Sequence, residues 1–230
     1  MIIGKGLLAR AFEPRFGTDP DVVVFASGVS NSLETRAEEF ARERKLLCQL
    51  LDGTARRIVY FGSCGVMAAE EQLTPYMAHK QSMEELVLAA PGGLVLRLPQ
   101  VVGKTDNAHT LTNFLRDRIL TGEHFVVWEH AERNLVDVDD VAAIGAALAV
   151  DLDCRESSAV SIAAEKSVPM PEIVSMFEHV LKKHANYTMV SKGSHLPVDT
   201  RKAIEVGARL GINLGAGYIE KIIGKYYAHA

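Results

Sequence analysis

Short apolar runs alternate with longer stretches of helical period along the chain. Runs rich in Val, Ile, Leu and Phe at 1–3, 21–25, 57–61, 92–98, 125–127, 134–138, 159–162 and 187–190 each predict a strand. Between them, apolar residues recurring at three- and four-residue spacing predict helices. These cover a start at Leu7, then 33–51, 75–90, 111–121, 141–150, 170–183, 200–207 and 218–227. The 33–51 helix has an apolar side carrying Phe40, Leu46, Leu47, Leu50 and Leu51. Its charged residues Glu38, Arg42, Glu43 and Arg44 are expected on a solvated face. Thr74 suits an N-cap and Pro75 the first helical position after it. Strands alternating with helices predict an α/β protein built on a parallel sheet.

The spacing of the first elements is unusual. Met1-Ile2-Ile3 runs into Gly4-Lys5-Gly6-Leu7-Leu8-Ala9, a strand, a glycine-rich turn and a helix start. Such a turn lets a backbone approach a diphosphate at a helix N-terminus, and it equally describes a plain strand-to-helix turn. The next strand, at 21–25, follows almost at once. A full dinucleotide fold would place a strand, a helix and another strand in that interval, with an acidic residue reading the adenosine ribose. The prediction is a Rossmann-like, doubly wound parallel sheet lacking its usual second and third strands. Residues 1–153 would form the cofactor-binding and catalytic core, and 154–230 a small C-terminal substrate lobe packed on it.

Totals narrow the function classes. The 230 residues are 48% hydrophobic and 23% charged, as expected of a globular protein. A net charge of −4 gives no reason to expect nucleic-acid binding. No apolar run is long enough to predict a membrane span, and the start shows no basic, apolar leader. Cys48, Cys64 and Cys154 are few and far apart, which fits reduced thiols and a cytoplasmic location. The eight histidines show no H-x-x-x-H spacing. Asp137, Asp139 and Asp140 cluster at a strand end, where helix capping, near Asp139, explains them better than a metal.

The chemistry concentrates after the strand at 57–61. Ser63 follows it, and Tyr76 and Lys80 stand four positions apart on one face of the next helix. A free tyrosine ionises near pH 10, and a neighbouring ammonium would favour the phenolate. The pair could then exchange a proton with a carbonyl or alcohol oxygen to which Ser63 also hydrogen-bonds. His79 points off that face and reads as surface or as support behind the site. The small-residue loop from Ala26 to Ser32 is either a cofactor contact or a turn leading to a helix cap.

With these residues in order, the chain resembles the extended short-chain dehydrogenases/reductases, and within them the NAD-dependent epimerase/dehydratase family acting on nucleotide sugars. The resemblance runs through the Gly4–Ala9 turn, Phe25-Ala26-Ser27, the 61–66 turn, Pro75-Tyr76 to Lys80, the 97–103 segment and the 133–141 segment. It implies a catalytic triad of Ser63, Tyr76 and Lys80, with Lys80 also on the nicotinamide ribose. It implies that Gly4, Lys5, Gly6, Leu7 and Leu8 lie along the cofactor diphosphate, with Phe25, Ala26 and Ser27 beside the cofactor. Leu98 and Pro99 would flank the nicotinamide, Gln100 would touch the sugar, and Arg133 would meet the substrate diphosphate. A surface ion pair with Glu129 or Glu132 is the plain alternative for Arg133.

The implied cofactor is NAD or NADP, and the implied activity is that of a keto-sugar reductase or an epimerase. The implied assembly is a homodimer joined through the helices at 33–51 and 76–90. Cys64-Gly65 stands where 4,6-dehydratases carry an acidic pair, which argues against dehydration. The helix around Glu39 also lacks the family's usual asparagine. The other reading is a degenerate member that binds a nucleotide or a partner without catalysis.

Overall fold

The computed structural model describes residues 1–53, 56–67, 73–153, 155–195 and 197–229. Five parallel strands form the central sheet: β1 (Ile2–Ile3), β2 (Val22–Phe25), β3 (Arg57–Ser63), β4 (Gly93–Leu98) and β9 (Ser158–Ser161), in the spatial order β1-β2-β3-β4-β9. Register runs from Ile2 beside Val24 to Leu98 beside Ser63, so the strand ends bearing Phe25, Ser63 and Leu98 lie at one edge. β1 is the outermost strand among the described residues, as the short interval before residue 21 implies. β9 comes from beyond residue 153, so the expected C-terminal lobe lends its first strand to the core sheet.

Alternate residues along each strand feed two cores, as the period-two geometry of a sheet requires. Val22, Val24, Val59, Phe61, Leu94 and Leu96 face the larger core, with Phe12 and Phe16 of α1 (Leu7–Phe16) and Ile144 and Leu148 of α5 (Val138–Asp151). Phe25, Tyr60 and Val95 face the smaller one, with Leu47 of α2 (Ala37–Leu51) and Met83 and Val87 of α3 (Pro75–Ala89). Each chain step from β1 to β4 moves one place in the same direction, yet α1 covers one face and α2 and α3 the other. Two crossovers moving in one sense on opposite faces have opposite hands. The β1–α1–β2 connection is therefore of the hand opposite to its two successors, against the usual uniformity of such crossovers. The turns leaving β1 and β2 consequently depart to opposite faces and leave a crevice between the strand ends, the usual ligand position in an open α/β sheet.

The remaining elements are a 3-10 helix (Cys64–Met67), α4 (Leu111–Thr121), α6 (Met170–Leu181), α7 (Arg201–Arg209), α8 (Tyr218–Tyr227) and three small sheets. β5 (Gln100–Val102) pairs parallel with β8 (Leu135–Asp137), β6 (Phe125–Trp128) parallel with β11 (Tyr187–Val190), and β7 (Glu132–Arg133) antiparallel with β10 (Val168–Pro169). The cap of α5 is Asp137, whose Oδ1 accepts from the Asp139 N–H at 2.9 Å. Lys225 donates to Asp137 and Asp139, and Tyr218 to Asp140, so the acidic cluster docks α8. Helix α2 starts at Ala37 and not at Leu33. Glu34 accepts from the N–H groups of Thr35 and Arg36 and from the Arg36 guanidinium, a local turn that competes with helix.

Phe12 is buried and meets Phe61 edge-on at 5.1 Å between ring centroids, joining α1 to the sheet. Phe12→Ala is expected to lower stability by about 3–5 kcal/mol, measured by urea unfolding.

Candidate active site

The glycine turn and the loop after β2 meet at Gly4. Its φ is +130°, and a side chain there would sit 2.4 Å from the Ala26 carbonyl oxygen, so only glycine allows the contact. Ala26 N–H donates to the Ile3 carbonyl at 2.7 Å. Gly6 caps α1 without a side-chain hydrogen bond, and the first turn, which opens with Leu7 and Leu8, carries no acidic residue. The first amides of α1 thus face a positive helix end with no side-chain cap, and a side chain at Gly6 would meet nothing within 4 Å. This turn fits a diphosphate. Lys5 is exposed, and the Ser27 carbonyl accepts from Arg42. The Phe25 ring is buried in the smaller core against Tyr60, so only its main chain can line the crevice.

Helix α3 starts as its sequence dictates, with Thr74 Oγ1 accepting from Met77 N–H at 3.2 Å and Pro75 in the first turn. Tyr76, Lys80 and Glu84 follow one another at four-residue spacing, and α3 buries Lys80 and Glu84. Ser63 ends β3, its hydroxyl accepts from Gly65 N–H at 3.1 Å, and it lies close enough to Tyr76 to ease ionisation of the phenol. Ser63 and Tyr76 are thus neighbours across the β3 end and the α3 start.

Lys80 is placed differently. Its ammonium donates to Glu43 Oε1 at 3.1 Å, Tyr60 Oη at 3.0 Å and the Phe61 carbonyl at 3.3 Å. An ammonium has three donors, and all three are used. Toward Tyr76 it makes only a ring contact, 5.9 Å from the centroid. Nor is the Tyr76 phenol made more acidic. Burial first and the Glu43 charge second push it up to about 12, with the nearby Ser63 acting the other way.

Glu43 was expected on the solvated face of α2 and is instead completely buried. It accepts from Val29 N–H at 2.6 Å and Tyr60 Oη–H at 2.7 Å, and His79 Nε2 lies 3.0 Å from its Oε2. Burial alone would raise its pKa. His79, the Lys80 charge, the Val29 amide and Tyr60 together hold it down to about 2. Burial disfavours the Lys80 charge, and Glu43 opposes that. Glu84, also buried, pairs with Arg97 of β4 at 2.9 Å. Glu43 had one sequence signal: Phe40, Glu43, Leu47 and Leu50 follow a three- and four-residue spacing, which puts the carboxylate in line with apolar positions.

Leu98 is buried in the larger core, and Pro99 is half-buried beside it. Gln100 Oε1 is buried and has no hydrogen-bond partner among the described residues. Arg133 lies apart from the Tyr76 cluster, on β7. It forms no ion pair with Glu129 or Glu132, which contact His130 and His195. Its guanidinium is half-buried, donates to the Glu132 carbonyl at 2.8 Å, and is less basic than usual because of burial. Beside β7 opens a cleft of about 360 Å³ lined by Glu132, Asn134, Lys166, Ser167 and His195. Asn134 exchanges two 2.9 Å hydrogen bonds with the Ala164 main chain and holds one wall.

A parallel sheet flanked on both faces, a glycine turn at a helix start and a Ser-Tyr pair at the strand ends define a Rossmann-like α/β protein of the short-chain dehydrogenase type. The family model described as "NAD dependent epimerase/dehydratase family" matches residues 8–162, and the chain belongs to that family. No curated protein sequence matches it. Among solved structures, it is similar in fold to a UDP-glucose 4-epimerase from Thermus thermophilus in complex with NAD. The TM-score is 0.70 at 17% identity, over 97% of this chain and 81% of that one. MoeE5 in complex with UDP-glucuronic acid and NAD gives 0.68 at 22% identity, over 88% and 76%. A dTDP-glucose 4,6-dehydratase from Bacillus anthracis, in complex with NAD, gives 0.66 at 15% identity, over 97% and 76%.

Glu43 has a folded pKa below its ordinary 4.5, so its contribution to stability is complete above that value and is lost as pH falls toward 2. Acid should remove on the order of 3 kcal/mol through this one group. Urea unfolding at stepped pH should show that loss in the wild type and a flatter profile in Glu43→Gln.

Proposed function

We propose that the protein is an NAD(P)-dependent nucleotide-sugar oxidoreductase, a keto-sugar reductase or an epimerase. The observation that carries this is the placement of Ser63 at the carboxyl end of β3 and of Tyr76 at the start of α3. The family membership and the NAD-bound fold relatives support NAD as the cofactor. The Gly4–Leu8 turn and the start of α1 would hold its diphosphate, with Ala26 and Ser27 across the crevice and Leu98 and Pro99 toward the nicotinamide. A bound nicotinamide would exchange a hydride with the sugar carbon. Ser63 would fix the substrate oxygen by a hydrogen bond, and Tyr76 would exchange the proton there. Arg133, without a carboxylate partner among the described residues, suits the diphosphate of a nucleotide sugar, the ligand class named for the UDP-sugar-bound relative. Gln100, with its spare buried acceptor, suits a sugar hydroxyl. The chain beyond β9, paired with β6 and β7, would serve as the substrate lobe. We place the protein in the cytoplasm as a homodimer joined through α2 and α3, an assembly that light scattering tests.

A second reading, a family member that binds without catalysis, is favoured by the full engagement of Lys80 within the protein and by β1 at the sheet edge. Titration with NADH and NADPH, followed by nicotinamide fluorescence, separates the two. Binding in the micromolar to millimolar range is expected, and no binding of either would remove the oxidoreductase reading. With a panel of UDP- and dTDP-linked sugars and keto-sugars, Tyr76→Phe should lower turnover by about 100-fold or more while cofactor binding is kept. Unchanged turnover would strip Tyr76 of its role.

A further inference from the structure

The turn after β1 carries charges that its own helix disfavours. Lys5 stands in the turn, and Arg10 folds back along α1 so that its guanidinium donates to the Lys5 carbonyl at 3.3 Å. Both side chains are exposed. Both lie at the positive end of α1, whose first turn holds no acidic residue. Cations there oppose the helix dipole, and a bound anion would reverse the effect. A helix start that breaks a local rule in this way is expected at a functional site.

The surrounding carboxylates do not relieve it. Glu13 reaches toward Gly17 at the far end of α1, and Asp19 pairs with Arg15. Across the crevice, Arg42 donates to the Ser27 carbonyl at 3.3 Å, and its charge is offset by Glu39 at 3.1 Å. Lys5 and Arg10 form no ion pair among the described residues. The whole chain carries a net charge of −4, so this positive edge is a local feature and not a general basicity.

We propose that Lys5 and Arg10 form a phosphate-reading edge that selects NADP(H) over NAD(H) through the phosphate on the adenosine ribose. The inference rests on the oxidoreductase reading and narrows its cofactor. With the diphosphate on the first amides of α1, the nicotinamide is committed toward Ser63 and Tyr76, at the end of β3. That leaves the adenosine to the outer edge of the sheet, where β1 is the last strand among the described residues and Lys5 directly follows it. The free ribose hydroxyls of NAD are usually held by a carboxylate, and the ribose phosphate of NADP by an arginine. This edge presents the second kind of group. Main-chain amides at the bare Gly6 already suit the diphosphate, so the two cations are surplus to it. Arg10 spends one of its five N–H donors on the Lys5 carbonyl and keeps the rest for a phosphate.

The test is equilibrium binding to the full chain. Nicotinamide fluorescence reads NADPH and NADH, and calorimetry reads two fragments without nicotinamide, adenosine 2′,5′-bisphosphate and adenosine 5′-monophosphate. NADPH should bind about tenfold or more tighter than NADH, and the bisphosphate similarly tighter than the monophosphate. Raising the salt concentration should shrink both preferences, because the edge is exposed. Replacing both residues, Lys5→Gln with Arg10→Gln, should bring the NADPH and NADH affinities to within about threefold of each other. If that double variant does not fold, Arg10→Gln alone is read in the same way. NADH binding as tightly as NADPH overturns this inference and leaves the oxidoreductase reading standing. A wild-type preference kept in full by the folded variant overturns the assignment to Lys5 and Arg10. Failure of both nicotinamides to bind removes the oxidoreductase reading and this inference with it.

Discussion

The buried pair of Glu43 and Lys80 is the constraint on which one whole face of the molecule depends. Withdrawing two charges from water costs several kcal/mol each, and their attraction repays this only when the remaining lone pairs and donors are also satisfied. Here they are. Each Glu43 oxygen has two partners, the ammonium has three, and the Tyr60 hydroxyl donates to one ion while accepting from the other. The apolar core on this side is small, with six fully buried members. The ion pair and its partners therefore fix α2, α3, β3 and the loop after β2 where hydrophobic packing alone leaves more freedom. Losing one partner would leave the other charged, buried and alone, a change that costs about 3–5 kcal/mol in comparable pairs.

The second constraint is topological. Without a strand beyond β1, the sheet order runs in one direction, and a uniform crossover hand would put every helix on one face. Instead α1 keeps to the face opposite α2, packed against α5 and Phe61. The odd-handed connection is what preserves a crevice between the ends of β1 and β2. It leaves β1 as an edge strand of two residues, short enough to offer little backbone to another chain. The glycine turn after β1 thus opens at the sheet edge, with no further strand beside it among the described residues.

Much of this was legible because periodicity and order carry it. The strands that feed two cores announced themselves as apolar runs, and the absence of a strand-helix-strand unit followed from counting residues between Ile3 and Asp21. Ser63, Tyr76 and Lys80 stood out because their spacing on a strand end and a helix face is a local property. The strands at 125–127, 134–138 and 187–190 were legible as well, but the pairing of the small sheets was not. β7 and β10 are two residues each, and Arg133 pairs with the distant Val168, so no local pattern marks their pairing. Glu43 was hidden by its own charge. It follows the apolar spacing of α2, but a carboxylate amid Arg42 and Arg44 looks solvated until a buried ammonium is known to face it.

The same lesson sets what the Tyr-Lys motif can and cannot say. Spacing puts Lys80 and Tyr76 on one face of α3, but a four-carbon stem can present its ammonium to any acceptor within reach. Which acceptor wins is decided by charge and burial. A carboxylate in a dry pocket attracts the ammonium far more than a neutral phenol does, because the interaction is screened so much less there than in water. Once Lys80 is paired, its field at Tyr76 is that of one end of a dipole, largely offset by the carboxylate 3.1 Å away. Burial, ahead of any single charge, then sets the acid strength of Tyr76, and the spacing of the motif does not by itself fix where the ammonium lies.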